Sequence, residues 1–214
     1  MPRKKQNFIP STYYHLSNIG NTGSEIFTTE DQIDFFIQKF NIHTQGVFTI
    51  LACCILQNQY HIIVRTRSRK KILKTYAEHK RLHHHIPSLD RNEVSLFLSQ
   101  IVADICNSYA KAFNKSIGRK GSLFRESFGK RLLENQAEMV RTVKAIERLP
   151  YIEQISGISR TWVEPKLEKN EGIRIAMGPP IVSGLASRSD DNQVYIVDGY
   201  EGQIVTYAKE LLLD

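Results

Sequence analysis

The stretch LQNQYHIIV, residues 56–64, decides the fold because it holds a turn and the first part of a buried strand. Its β-branched and aromatic side chains follow one another without a helical period, which is typical of a strand. Gln57 and Asn58 separate it from a preceding apolar run, so residues 47–56 and 59–66 are predicted to form an antiparallel hairpin. His61 interrupts the second strand, and Gln59, two positions earlier, is expected on the same face.

Strand and helix patterns on both sides of the hairpin predict an α+β domain. The remaining predicted elements are a strand at 13–19, a helix that Thr29 and Gln32 cap reciprocally, a long amphipathic helix at 92–115, a strand at 123–133 and a helix at 136–149 that ends before Pro150. This order predicts a ferredoxin-like antiparallel sheet packed on helices, over residues 1–150. Residues 151–214 are predicted to form a small C-terminal extension, either an accessory module or an ordered tail, with a final helical stretch.

The positive charge is concentrated in one part of the chain. Residues 65–131 hold 16 lysines and arginines against 5 aspartates and glutamates, whereas the rest of the chain holds 13 against 17. A concentrated positive surface is typical of proteins that bind a polyanion, because neutralised phosphates release counterions. A solvated basic surface without a partner is the alternative interpretation.

Cysteine spacing and hydropathy indicate the cellular compartment in which the protein is expected. Cys53, Cys54 and Cys106 show the spacing of neither a disulfide framework nor a zinc site, so we expect a reducing, cytoplasmic location. No apolar run approaches the roughly 20 residues that a membrane-spanning helix needs. No apolar signal core follows the first basic residues, and we therefore expect no membrane partner.

Four short segments together resemble a known family. They read YHLSNIGN at 14–21, LQNQYH at 56–61, SYAKAFN at 108–114 and RKGSLFR at 119–125. In this order and with these gaps they resemble the REP-associated tyrosine transposases, single-tyrosine members of the HUH endonuclease superfamily, over residues 13–150. The resemblance implies binding of single-stranded or hairpin DNA. It also implies a site in which two histidines of one strand hold a divalent cation while a helical tyrosine attacks a DNA phosphate.

The chain departs from that family at the residues that carry the chemistry. Gln59 stands where the family has its first histidine, so His61, with Gln59 beside it, would be a vestigial metal site. Ala145 stands at the position of the tyrosine nucleophile and Leu149 at that of a metal-binding asparagine. Since an alanine cannot attack a phosphate, the resemblance implies a DNA-binding protein without strand cleavage and without a cofactor.

Nine cations are candidate DNA contacts on this interpretation. They are Arg65, Arg67, Arg69, Lys70, Arg119, Lys120, Arg125, Lys130 and Arg131.

Three other hypotheses stay open at this point. An active endonuclease would need a relocated nucleophile, Tyr109 or Tyr151, with Mg²⁺ or Mn²⁺ at His61 and Gln59. Alternatively, the acidic residues 151–214 bind a protein partner and the remainder only supports them. RNA could also replace DNA as the ligand. The resemblance is compatible with a monomer and with a homodimer.

Overall fold

The structure is a computed structural model that describes residues 6–82, 86–152 and 157–164. Its elements are β1 (Tyr13–Ile19), α1 (Glu30–Thr44), β2 (Phe48–Leu56), β3 (Gln59–Thr66), α2 (Arg69–His79), α3 (Arg91–Ser116), β4 (Gly129–Leu133), α4 (Gln136–Ile152) and β5 (Ser159–Val163). Among the residues described, no helix combines the length and apolarity needed to span a membrane.

The five strands form one antiparallel sheet in the order β4-β1-β3-β2-β5. The predicted α+β class and the predicted hairpin are both confirmed, since β2 and β3 are joined by the two-residue turn at Gln57 and Asn58. The first four strands have the order 4-1-3-2 that a ferredoxin-like β-α-β-β-α-β chain produces. His61 lies opposite Ser17 of β1 on one side and Cys54 of β2 on the other.

The two faces of the sheet carry different cores. On the aromatic face, α1 and α3 pack on the sheet through aromatic rings. The Phe36 centroid of α1 lies 4.9 Å from that of Tyr60 on β3 and 5.2 Å from that of Tyr109 on α3. On the α4 face, that helix packs on smaller residues, including Cys54 and Ile63. Because Ile63 and His61 are two residues apart on β3, His61 lies on the α4 face.

The helices α1 and α3 each begin with a capping box formed by residues that are close in the sequence. The predicted capping box is present at α1, where Thr29 Oγ1 accepts from the backbone N–H of Gln32 and the Gln32 side chain accepts from that of Thr29. Asp90 and Glu93 form the same reciprocal pair at the start of α3. Each such cap satisfies backbone donors that have no partner within the helix.

Two predicted boundaries were wrong. The fourth strand covers only Gly129–Leu133, because its pairing with β1 stops at Ser17↔Gly129 although β1 continues to Ile19. Leu123 and Phe124 are buried nonetheless, and Phe124 makes an isolated bridge with Gly20. The last helix continues through Pro150 to Ile152, since a proline in the final turn removes only one hydrogen bond.

The sheet includes a strand from beyond Pro150. β5 pairs with β2 from Ala52↔Val163 to Leu56↔Ser159, and the Arg160 guanidinium forms ion pairs with Glu30 and Asp34 of α1. The domain boundary at residue 150 stays a prediction, and residues 165–214, including the predicted final helical stretch, lie outside the described residues.

Substitution of Gly46 by alanine is expected to lower the free energy of unfolding by about 2 kcal/mol. Gly46 has a φ of +90°, and a Cβ there would lie 2.4 Å from Thr75 Oγ1 on α2. Gly118→Ala is the matched control, because its φ is +66° but nothing lies within 4 Å of an added Cβ. Urea unfolding of both variants separates the destabilisation caused by the contact with Thr75 from that caused by the positive φ. Equal losses of unfolding free energy in the two variants would contradict the contact.

Candidate functional site

A chain of buried polar side chains crosses the α4 face. His15 Nε2 of β1 lies 3.0 Å from His61 Nδ1 of β3, and the two rings are nearly parallel, at an interplanar angle of 11°. His61 Nε2 lies 3.3 Å from Gln59 Oε1. The two histidines are only 3% and 2% exposed, so these hydrogen-bonded side chains are isolated from water.

With Gln59 Oε1 as the acceptor, the contacts favour one tautomer of His61. Gln59 Oε1 is a carbonyl oxygen and accepts, so His61 Nε2 donates to it and His61 Nδ1 accepts from His15 Nε2. Burial lowers the pKa of His61 to about 4. Burial, followed by the charges of His61 and Arg131, lowers the pKa of His15 well below its ordinary value. Both imidazoles are therefore neutral at pH 7.

A second polar cluster holds β4 to α4 beside this chain. Arg131 pairs with His15 across the β1–β4 ladder, and its Nη1 donates to Glu138 Oε1 at 2.7 Å. Arg131 Nη2 also donates to Thr142 Oγ1 at 3.3 Å. Glu138 Oε2 accepts from the backbone N–H of Glu134 at 2.7 Å. Arg131 is thus committed to an internal ion pair, which makes it a weaker candidate for DNA contact than an exposed cation.

The two residues that the sequence resemblance aligns with catalytic positions are core residues. Ala145 and Leu149 are both 0% exposed and belong to the apolar core between α4 and the sheet. Their side chains carry no atom that could attack a phosphate or bind a metal ion. The part of α4 that carries Ala145 and Leu149 therefore contributes only apolar surface to the α4 face.

The residues around His61 do not fit a Mg²⁺ or Mn²⁺ site as they are arranged. These hard cations take oxygen ligands, usually carboxylates. The Glu138 carboxylate is paired with Arg131, and both ring nitrogens of His61 have hydrogen-bond partners in the protein. No group of three metal-binding residues occurs within the described ranges. The expectation that no cofactor is needed stays a prediction.

Neither alternative tyrosine faces this cluster. Tyr109 lies on the aromatic face, where its hydroxyl donates to the carbonyl oxygen of Ile26 and burial raises the pKa of its phenol. Tyr151 lies at the end of α4 with 67% of its surface exposed. At 100° per residue it points about 200° away from buried Leu149, and thus away from the sheet.

The structure divides the nine candidate DNA contacts between the two ends of the sheet. Arg65 lies at the end of β3, where it pairs with Tyr13, and Arg67, Arg69 and Lys70 follow that strand; we call these four residues the β3 group. Arg119, Lys120 and Arg125 lie beside the other end of β1, where the Arg125 N–H donates to the Ile19 carbonyl; we call this the loop group. The six residue steps of β1 separate these ends by roughly 20 Å. Lys130 and Arg131 lie between them on β4.

The candidate cations also differ in exposure. Arg65, Arg69, Lys70, Lys120 and Arg125 are exposed, although Arg65 stacks on the Tyr13 ring and Arg69 donates to the Leu89 carbonyl. The others are partly buried and serve local structure. Arg119 donates to the Asn114 side chain and to the Ser122 carbonyl. Lys130 lies 4.0 Å from the Phe8 ring centroid, and Arg131 pairs with Glu138. Arg67 is half-buried.

Sequence reasoning missed two features, the contact between His15 and His61 and the helix α2. His15 stands inside a segment used for the family resemblance, and only the β1–β3 register brings it beside His61. The segment after β3 was not assigned as a helix, yet α2 forms there and presents the exposed Lys71 and Lys74 near Lys70. The signal for α2 was present, since buried Ile72 and partly buried Tyr76 recur at helical spacing.

Comparison with known proteins found distant similarities of fold alone. No model of a protein family matches the sequence, and no curated protein matches it. The structure is similar to a REP-associated tyrosine transposase bound to a REP hairpin, with a TM-score of 0.45 and 15% identity over 72% of this chain and 74% of that one. It is also similar to a bacterial tRNA(His) guanylyltransferase (Thg1)-like protein in complex with GTP, with a TM-score of 0.41 and 11% identity over 78% and 90%.

Proposed function

We propose that this chain is a DNA-binding protein on a tyrosine-transposase (HUH) type of domain, and that it binds single-stranded or hairpin DNA without cutting it. The type of DNA rests on the four sequence segments that resemble the REP-associated tyrosine transposases. The binding itself rests on charge, because residues 65–131 carry eleven more positive than negative side chains. A cytoplasmic location fits three buried cysteines that form no disulfide.

The exposed cations at the two ends of the sheet carry this proposal. Lysine and arginine side chains that reach solvent neutralise phosphates without any catalytic group. The β3 group contributes Arg65 and Lys70, and the loop group contributes Lys120 and Arg125. Along the duplex stem of a hairpin the phosphates of one strand repeat about every 3.4 Å of helix axis, so a gap of about 20 Å corresponds to roughly six nucleotides of a stem strand. A strand of that length would contact both groups at once.

The arrangement of the α4 face supports binding without cleavage. Covalent cleavage of DNA requires a nucleophile directed at the phosphate. Ala145 occupies the family's nucleophile position, and the hydroxyl of Tyr109 is bonded to a backbone carbonyl on the opposite face of the sheet. His61 and Gln59 satisfy each other inside the core.

Removal of two loop-group charges is expected to weaken binding to a single-stranded 20-mer by about 25-fold at 0.1 M salt. Each lost phosphate contact removes about 0.7 released counterions, so the double variant Lys120→Gln/Arg125→Gln should also lower the slope of log K against log salt by about 1.4. Fluorescence anisotropy over a salt series measures both quantities.

The matched control removes the same charge elsewhere. Arg141 and Lys144 are exposed on the outer side of α4 and belong to neither cationic group, so Arg141→Gln/Lys144→Gln should leave the slope within experimental error. An equal loss in both double variants would mean that DNA senses only net charge. Salt-independent binding by the unaltered chain would refute the electrostatic proposal altogether.

Incubation of the chain with end-labelled hairpin DNA and Mn²⁺ separates binding from cleavage. Intact DNA on a denaturing gel, together with a retarded complex on a native gel, is the expected result. A covalent protein–DNA product would contradict the proposal and support the alternative of a relocated tyrosine, which Tyr151→Phe would then test.

A further inference from the structure

Three neighbouring strands place Tyr13, Arg65 and Thr49 in one row at the end of the sheet that carries the β3 group. Arg65 of β3 lies opposite Tyr13 of β1 on one side and opposite Thr49 of β2 on the other. Residues that lie directly opposite one another in an antiparallel sheet point to the same face. Because Arg65 is two positions from Ile63, the row lies on the α4 face. This part of that face is open to solvent, since Arg65 is exposed.

The guanidinium of Arg65 stacks on the ring of Tyr13. Its Cζ atom lies over that ring, 5.5 Å from the centroid. The ring itself is half-buried and packs against the core of the α4 face, so its position is fixed by the fold. A cation that already rests on a fixed aromatic ring loses less side-chain freedom when a ligand binds to it. The arginine is therefore preorganised for binding.

Arg65 has no other partner for its guanidinium among the residues that the structure describes. Two other candidate DNA contacts differ in this respect, because Arg119 donates to the carbonyl of Ser122 and Arg131 pairs with Glu138. The donors of Arg65, and the face of its guanidinium that is turned away from the ring beneath it, are available to a ligand.

This outer face suits a nucleobase. Both groups are flat, and arginine guanidinium planes are among the surfaces on which proteins stack unpaired bases. The β2 neighbour of Arg65 is the small Thr49, which leaves room for a base above the row. A base on the outer face would complete a stack of three planar groups, with the ring of Tyr13 innermost. Bases within a duplex are already stacked on their neighbours, so the fitting ligand is an unpaired base.

We propose that Tyr13 and Arg65 form a stacking site for one unpaired nucleobase of the bound DNA. The site rests on the proposed DNA binding and refines the role of one candidate contact. Arg65 holds a base, while the exposed Lys70 of the same β3 group neutralises a phosphate. Because every base has a flat π face, such stacking is tolerant of sequence. The site therefore favours DNA with an unpaired segment over a blunt duplex.

A substitution that preserves charge separates stacking from phosphate contact. Arg65→Lys keeps the positive charge but removes the planar group, so it should weaken binding to a single-stranded thymidine 20-mer by about tenfold. The slope of log K against log salt should stay the same, because the number of neutralised phosphates does not change. Arg141→Lys is the control for the substitution itself, since Arg141 is exposed on the outer side of α4 and belongs to neither cationic group.

An oligonucleotide without bases identifies the group that Arg65 contacts. A 20-mer of abasic nucleotides keeps every phosphate, so the unaltered chain and Arg65→Lys should bind it equally in fluorescence anisotropy. Tyr13→Leu removes the ring beneath the guanidinium and should also weaken binding of the thymidine 20-mer but not of the abasic one. Tyr13→Phe keeps the ring and should recover most of that loss. Circular dichroism of each variant checks that it is folded.

Two results would overturn the stacking site. Equally tight binding of the thymidine 20-mer by Arg65→Lys and by the unaltered chain would mean that no base stacks on this residue. An equal loss on the thymidine and abasic 20-mers would mean that Arg65 contacts a phosphate instead. Either result would leave the salt-dependent binding of the unaltered chain intact. Absence of that binding would refute the proposed function, and the stacking site with it.

Discussion

Acidification from pH 6.5 to pH 4 is expected to lower the free energy of unfolding by about 3 kcal/mol through His61 alone. The folded protein holds this imidazole at a pKa of about 4, whereas the unfolded chain has an ordinary histidine near 6.5. Between these two values the unfolded state binds more protons than the folded state, so stability rises with pH and falls on acidification. Below pH 4 both states are protonated, and this contribution stays lost.

His15 also lowers the free energy of unfolding when the pH falls. Burial is the largest cause of its lowered pKa, and the neighbouring charges of His61 and Arg131 add to it. The two imidazoles share a hydrogen bond, so a proton on either must be accommodated beside the other in the core. We therefore expect the measured loss to exceed the contribution of His61.

Urea unfolding followed by circular dichroism over this pH range measures the effect. His61→Gln should flatten the dependence of stability on pH, although the variant is less stable at neutral pH because His15 loses its partner. The control is His43→Gln, since His43 is exposed in the last turn of α1. A control that flattens the profile as much as His61→Gln would show that the acid sensitivity does not arise in the buried chain.

Ala145→Tyr is expected to destabilise the fold by about 3 kcal/mol or more. This substitution puts a tyrosine at the position that the sequence resemblance aligns with the nucleophile of the transposase family. Ala145 is 0% exposed and packed between α4 and the sheet, beside core residues such as Ile63 and Leu149. A phenol ring cannot enter this close-packed space unless α4 moves away from the sheet.

Lys144→Tyr provides the matched control. Lys144 is the neighbouring residue of α4 and is exposed, so the same side chain there should change stability by no more than about 0.5 kcal/mol. Thermal unfolding of both variants measures the difference. A stable Ala145→Tyr protein would contradict the packing described for the α4 face, and it would also reopen the question whether a tyrosine at this position can act on DNA.

Local patterns predicted most of the fold correctly. The hairpin, the capping box at Thr29 and the long α3 each depend on residues a few positions apart, so their signals lie within short windows of sequence. The fourth strand was overextended because Leu123 and Phe124 are apolar like strand residues, although they pack from a loop. Whether an apolar residue lies in a strand depends on an available partner strand, which its neighbours do not reveal.

The sequence by itself determined the α+β class, the succession of the first four strands along the chain and the concentration of positive charge between residues 65 and 131. Only the tertiary structure decided that His15 meets His61, that Ala145 is enclosed in a core, and that the candidate DNA contacts divide between two ends of the sheet. The physical reason is the same in each case. Periodicity and composition act along the chain, whereas strand register and helix packing join residues that are tens of positions apart.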